Sequence, residues 1–143
     1  MTDLTLTCRR VIAAPADKIY NAWLDPKIMA QFMAGGSDQK VTEAASDARV
    51  GGAFRVVMVS DKEIPHSGTY KALTPHSRIV FSWESPYSPA DSEVELLFTP
   101  VPGGTEVVLN QIRFLSEGAR DGHGKGWTLI LERLDALLSR QAA

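Results

Sequence analysis

The strongest constraint on this chain is its last segment. Residues 123 to 140 read His-Gly-Lys-Gly-Trp-Thr-Leu-Ile-Leu-Glu-Arg-Leu-Asp-Ala-Leu-Leu-Ser-Arg. Trp127, Leu131, Leu134 and Leu138 recur at helical spacing, Ile130 and Leu137 widen the apolar stripe, and Glu132, Asp135, Ser139 and Arg140 fall on the other side. Neither Gly nor Pro interrupts the pattern after Trp127. The expected helix is about 20–25 Å long at 1.5 Å per residue. Most of what precedes it reads as strand and turn, so the stripe must be buried against a sheet. How the sheet receives the helix decides whether a pocket is left.

Taken in order, Leu4 to Ile12 alternates with one apolar face and reads as a strand, with Arg10 sharing the parity of Leu6, Cys8 and Ile12. A half-buried Arg10 needs a partner, and Asp25 or Asp47 is the candidate for a structural ion pair. Pro15 opens a short helix carrying Ile19, Tyr20, Trp23 and Leu24, which Asp25-Pro26 ends. Ile28, Met29, Phe32 and Met33 suggest a second, closed by Gly35-Gly36. Strand patterns follow over 41–45, 53–60, 66–73, 78–84, 92–100 and 105–114, with turn signals at 47–52, 61–63, 75–77 and 101–104. A polar, glycine-rich stretch, Leu115 to Gly126, reads as a loop leading into the final helix. The order strand, two short helices, about six strands, long helix implies an antiparallel meander with helices on one side, an α+β architecture.

The bulk properties exclude several classes. A chain of 143 residues with 44% apolar residues is expected to be one domain with a sizeable core. A net charge of −2 with scattered basic residues gives no reason to expect nucleic acid or an anionic membrane as partner. Cys8 is the lone cysteine, so no intrachain disulfide can form, which fits a reducing cytoplasm. The N-terminus lacks the character of a signal peptide, and no apolar run approaches the roughly 20 residues of a membrane span. His66, His76 and His123 stand in no ligand spacing with Cys8 or one another, so no metal or other cofactor is expected. The glycines at 118, 122, 124 and 126 do not make a phosphate loop: position 119 is Ala and position 126 lacks the Ser or Thr that would hold magnesium. No Gly-x-Ser-x-Gly elbow is present, and Cys8 reads as a small buried hydrophobe. Glu84, Glu93 and Glu95 read as charges on a solvated face.

Five motifs carry a resemblance. They are Arg10-x-x-x-Ala14-Pro15 with Trp23-x-Asp25-Pro26; Asp47-x-Arg49-x-Gly51-Gly52-x-Phe54-Arg55; Gly68-x-Tyr70 with Trp83-Glu84; Gly104-Thr105; and His123-x-x-Gly126-Trp127-x-x-x-Leu131-x-x-Leu134. Together they span almost the whole chain, which resembles a bacterial single-domain member of the START-like (SRPBCC) superfamily, in the branch named after the activator of the heat-shock protein 90 ATPase. The resemblance implies a single START-like domain over 1–143 with the helix-grip fold, in which a curved antiparallel sheet of about six or seven strands wraps a long C-terminal helix around a cavity. The superfamily includes lipid and hormone binders as well as polyketide cyclases and aromatases, so fold leaves function open. The branch name implies a chaperone partner and a stress response, but the eukaryotic co-chaperone carries an additional domain that is not expected within these 143 residues. Two departures stand out: Gln111 where relatives often have His, and Phe32 where many have Trp.

With a cavity implied, the ligand-binding candidates follow. Phe54, Met58, Phe81 and Trp83 face the long helix from the sheet, and Trp23 and Phe32 close the side of the short helices. Trp127 and Ile130 belong to the helix near the pocket mouth or wall, while Leu134, Leu137 and Leu138 close the core. His66, Tyr70 and Gln111 are the polar candidates. His123 reads as a structural residue beside Trp127. The expected function is binding of a small apolar or amphipathic molecule. A cyclase, aromatase or dehydratase using the same cavity is the first alternative, requiring polar groups to converge inside it. A chaperone-associated protein is the second, requiring a docking surface outside it. A homodimer is compatible with the sequence and not readable from it.

Overall fold

A computed structural model describes residues 4–36 and 38–142. Residues 1–3 and the side chain of Arg140, which entered the reading above, lie outside the described parts. The elements are β1 (Thr5–Ile12), α1 (Ala16–Ala22), α2 (Pro26–Phe32), β2 (Lys40–Ser46), β3 (Ala53–Val59), β4 (Glu63–Thr74), β5 (Arg78–Ser82), β6 (Glu93–Val101), β7 (Gly104–Ile112) and α3 (Glu117–Ala142).

Strands β2 to β7 form a meander, and β1 adds to its far edge, giving the antiparallel order β1-β7-β6-β5-β4-β3-β2. The sheet curls into a half-barrel around α3, with register shifts at Val41/Glu43 and Tyr70/Ala72. This is the helix-grip fold that the resemblance implied. Alternation decides the faces. Phe54, Val56 and Met58, then Val94, Leu96 and Phe98, then Val107, Leu109 and Gln111 are buried on the concave side. The convex side carries cross-strand ion pairs, including Lys71–Glu93 at 3.3 Å and Arg78–Glu95 at 2.9 Å, which agrees with the solvated role read for Glu93 and Glu95. The stripe of α3 is buried throughout, from Trp127 to Leu138.

Two positions explain how the chain bends to this shape. A Cβ on Gly68 would lie 1.9 Å from the Ser82 carbonyl oxygen and 2.6 Å from the Phe54 ring, so β4 and β5 meet closely only over glycine. A Cβ on Gly35 would lie 3.3 Å from the Gly126 Cα, so the segment after α2 rests almost directly on the α3 backbone. Arg133 of α3 secures this contact by donating to the carbonyls of Ala34 and Gly36. Asp25 caps α2, its Oδ1 accepting from the Lys27 N–H at 2.9 Å, with Pro26 in the first helical position.

Two expectations require correction. The stretch from Glu117 to Gly126 is helix, not loop, so α3 has 26 residues. Ser116 starts it: its Oγ accepts from the Ala119 N–H at 3.1 Å and its carbonyl from the Arg120 N–H at 3.0 Å. Four glycines each cost about 1 kcal/mol of helix propensity, but packing against β1 and the Gly35 segment overrides that preference. Arg10 is indeed half-buried on the inner face, yet its partner is Asp135 of α3 at 2.9 Å. Asp25 is engaged as the cap of α2, and Asp47 pairs with Arg49 at 2.8 Å.

Candidate functional site

Between one end of the sheet and the first half of α3 lies a cavity of about 490 Å³. That size lies within the range of about 300–1,000 Å³ typical of small-molecule sites. Its sheet wall is Met58 of β3, Ile64 and His66 of β4, and Trp83 just beyond β5. A bridge between Ser67 and Glu84 continues the β4–β5 pairing past Ser82 and turns Trp83 inward beside His66. Gly35 and Gln39 border it from the segment after α2, and Ser85, Tyr87, Leu115 and Ser116 come from the loops at its rim.

The helix wall explains why space is left. Ala119, Gly122, His123, Gly126, Trp127 and Ile130 share one face of α3 at spacings of three and four. Three of these six are Ala or Gly, and a Cβ at Gly122 would meet nothing within 4 Å. Further along α3, Leu134, Leu137 and Leu138 fill the corresponding space and the interior is packed. Gly122 and Gly126 therefore do not loosen a loop; with Ala119 they hollow the gripped face of a helix.

Two histidines share this wall. His123 Nδ1 lies 2.7 Å from the Ala119 carbonyl oxygen, which can only accept, so Nδ1 carries the hydrogen. Its Nε2 then accepts from Ser88 Oγ at 3.1 Å. Ser88 accepts from Ser85 Oγ at 3.1 Å, and Ser85 accepts from the Tyr87 N–H at 3.2 Å. This chain ties the β5–β6 loop to α3 at the rim. His66 is the most buried ionisable side chain of the wall, 9% exposed, with its ring 4.9 Å from that of Trp83. Burial, aided by the nearby His123, pushes its pKa down to about 4, and the carbonyls of Ile64 and Val56 act weakly in the opposite direction. Its Nδ1 is enclosed without a hydrogen-bond partner, as is Nε1 of Trp83.

Of the residues singled out in the sequence, Met58, His66, Trp83, Trp127 and Ile130 line the cavity. Trp23, Phe32, Phe54, Tyr70, Phe81 and Gln111 do not; they pack the interior beyond it. Phe54 sits among Tyr70, Phe81 and Trp83 at ring distances of 5.4, 5.1 and 6.2 Å. Trp23 packs edge-on against Phe32 at 5.0 Å. Tyr70 is hydrogen-bonded to Ser46 Oγ at 2.8 Å, and burial raises its pKa. Gln111 is fully buried with both polar atoms engaged: its Oε1 accepts from Trp127 Nε1 at 2.7 Å and its Nε2 donates to Ser92 Oγ at 2.9 Å. It supports the wall from behind. Sequence reasoning missed His123 as a wall residue and the small side chains of α3. The available signal was small residues at 119, 122 and 126, in phase with Trp127 and Ile130.

A second, more open trough of about 540 Å³ runs between β1 and α3. It is bordered by the charged residues Asp121, Lys125 and Glu132. Cys8 lies in it, half-buried with Sγ 3.9 Å from the Gly124 carbonyl oxygen, and burial raises its pKa, outweighing the opposing hydrogen bond with Thr128. Among the described residues, no group of three or more His, Cys, Asp or Glu is placed to hold a metal ion. Nor is any described helix long and apolar enough to cross a membrane.

The sequence model of the family described as Activator of Hsp90 ATPase homolog 1-like protein matches residues 13–139. Protein CV1439 from Chromobacterium violaceum is 26% identical, with a TM-score of 0.83 over 93% of this chain and 95% of that one. The AHSA1-like protein from Aeromonas hydrophila is 23% identical, with a TM-score of 0.84 over 97% and 94% of the two chains. CalU16 from Micromonospora echinospora is 26% identical, with a TM-score of 0.75 over 95% and 74%. No curated protein matches the chain.

Proposed function

Because this chain belongs to the family of Activator of Hsp90 ATPase homolog 1-like proteins, we propose that it binds a small apolar or amphipathic molecule between the sheet and α3, in the cytoplasm. The observation that carries the reading is the hollowed helix face. Ala119, Gly122 and Gly126 leave space where larger side chains would fill it, opposite a wall of Met58, Ile64 and Trp83. An apolar surface left open in a folded protein favours a ligand that removes it from water.

Equilibrium titration with a panel of lipids and aromatic compounds tests this reading in three proteins. Wild type and Gly118→Leu, altered on α3 outside the cavity, should bind saturably, whereas Gly122→Leu should not. Equal binding by all three proteins, or binding by none, overturns it.

One observation favours a second reading. His66 and His123 share the wall, as acid–base chemistry of the cyclase or dehydratase kind would require, although Tyr70 and Gln111 do not join them. A chaperone partner would dock outside the cavity, yet Tyr87 and Leu115, two of the large exposed apolar side chains, sit at its rim.

A further inference from the structure

The binding reading leaves the ligand's chemistry open, and the wall narrows it. No Asp, Glu, Lys or Arg occurs among the described residues that line the cavity. Its closed end is formed by side chains that are almost fully buried: Met58, Trp83, Trp127, Ile130 and His66. The remaining polar side chains, those of Gln39, Ser85, Tyr87, Ser116 and His123, belong to less buried residues toward the rim. Trp127 Nε1 is taken by Gln111 and Trp83 Nε1 is sealed inside the wall, so His66 is the ionisable side chain of the closed end. Its ring lies at 31° to that of Trp83, and Trp127 stands 4.8 Å from Trp83 at 55°, so this end offers aromatic faces and edges against which a flat ring can stack or pack edge-on. The His66 Nδ1 is sealed inside the wall. Nε2 is not among the sealed atoms, and we assign it to the ring edge that lines the cavity.

When an apolar ligand fills the cavity, that nitrogen loses access to water. An unpaired polar atom in a dry site weakens binding, so the ligand must supply a partner. A carboxylate would arrive where no cation waits, since burial and the neighbouring His123 hold His66 neutral near pH 7. A hydroxyl can donate or accept and so matches either tautomer of the ring. Building on the binding reading, we infer that the ligand is a flat aromatic molecule, uncharged at its buried end, with a hydroxyl there that pairs with His66.

Symmetrical probes remove the ambiguity of which end enters first. Calorimetric titration at pH 7 would use naphthalene, 2,6-dihydroxynaphthalene and naphthalene-2,6-dicarboxylate, with wild type, His66→Phe and His66→Gln. In wild type the diol should bind roughly tenfold more tightly than naphthalene, and the dicarboxylate roughly tenfold or more weakly than the diol. His66→Phe should bind naphthalene and lose the diol's advantage, while His66→Gln, which keeps a donor and an acceptor, should retain it. Binding of the dicarboxylate as tightly as the diol, or a diol advantage that survives in His66→Phe, overturns the inference and leaves the binding reading standing. If none of the three probes binds wild type, both fall.

Discussion

His66 couples the site to acid. Its folded pKa of about 4 lies below the usual value of 6.5, because burial penalises the imidazolium. Between those values the unfolded chain binds the extra proton and the folded chain does not. The neutral ring's contribution is therefore fully present above pH 6.5 and is lost as pH falls toward 4. The full span corresponds to roughly 3 kcal/mol. Urea melts at pH 7 and 4.5 should show wild type losing about 2 kcal/mol more than His66→Phe; parallel losses would contradict the assignment. Gln111 supports a second prediction at this scale. Replacing it with Leu strands the Trp127 N–H in a dry interior and should cost about 1–3 kcal/mol, with part of the loss recovered by adding Trp127→Phe. Parity in the sequence turned Phe54 and Trp83 inward, and both are buried, as is Gln111. It could not separate cavity wall from packed core, because both are inward positions. That separation depends on the size of the residue across the gap, which here belongs to α3.

At the scale of elements, α3 held the largest surprise. The leucine stripe was legible because its period is undisturbed, whereas the first three turns contain four glycines and read as a loop. The signal that could have found the start is Ser116, which caps the helix, followed by Glu117 in its first turn. Contacts remote in sequence decide the matter, with Gly35 against Gly126, Leu6 against Gly124 and Arg10 paired with Asp135. It follows that Gly122→Leu should stabilise while it blocks the cavity, since it replaces a poor helix former and adds apolar contacts. We expect a gain of about 1 kcal/mol, or a Tm higher by about 3–5 °C. A lower Tm by differential scanning calorimetry would show that the position has no room. The opposite outcome is predicted where β4 meets β5. Gly68→Ala would drive a methyl group into the Ser82 carbonyl and should cost about 2–4 kcal/mol by chemical denaturation. A near-neutral change there would mean that the sheet can open at this point.

For the whole molecule, the order of elements in the sequence was enough to anticipate a curled sheet around a helix, and the motifs supplied the name of the fold. The pairing of β1 with β7 across the meander was not readable, because strand order is set by where the apolar faces of α3 and the sheet converge. Nor was the position of the cavity. The gripped helix is tightly packed along its leucine half and hollow along its glycine half, and the proposed function depends on that asymmetry. The most direct test is to map binding of 2,6-dihydroxynaphthalene by amide chemical shifts in uniformly labelled protein. Shifts should concentrate at Met58, Ile64, His66, Gly122, Gly126 and Ile130, and should vanish in Gly122→Leu. Shifts gathered instead along the β1–α3 trough at Thr7, Cys8 and Thr128, or a pattern unchanged by the substitution, would contradict the account.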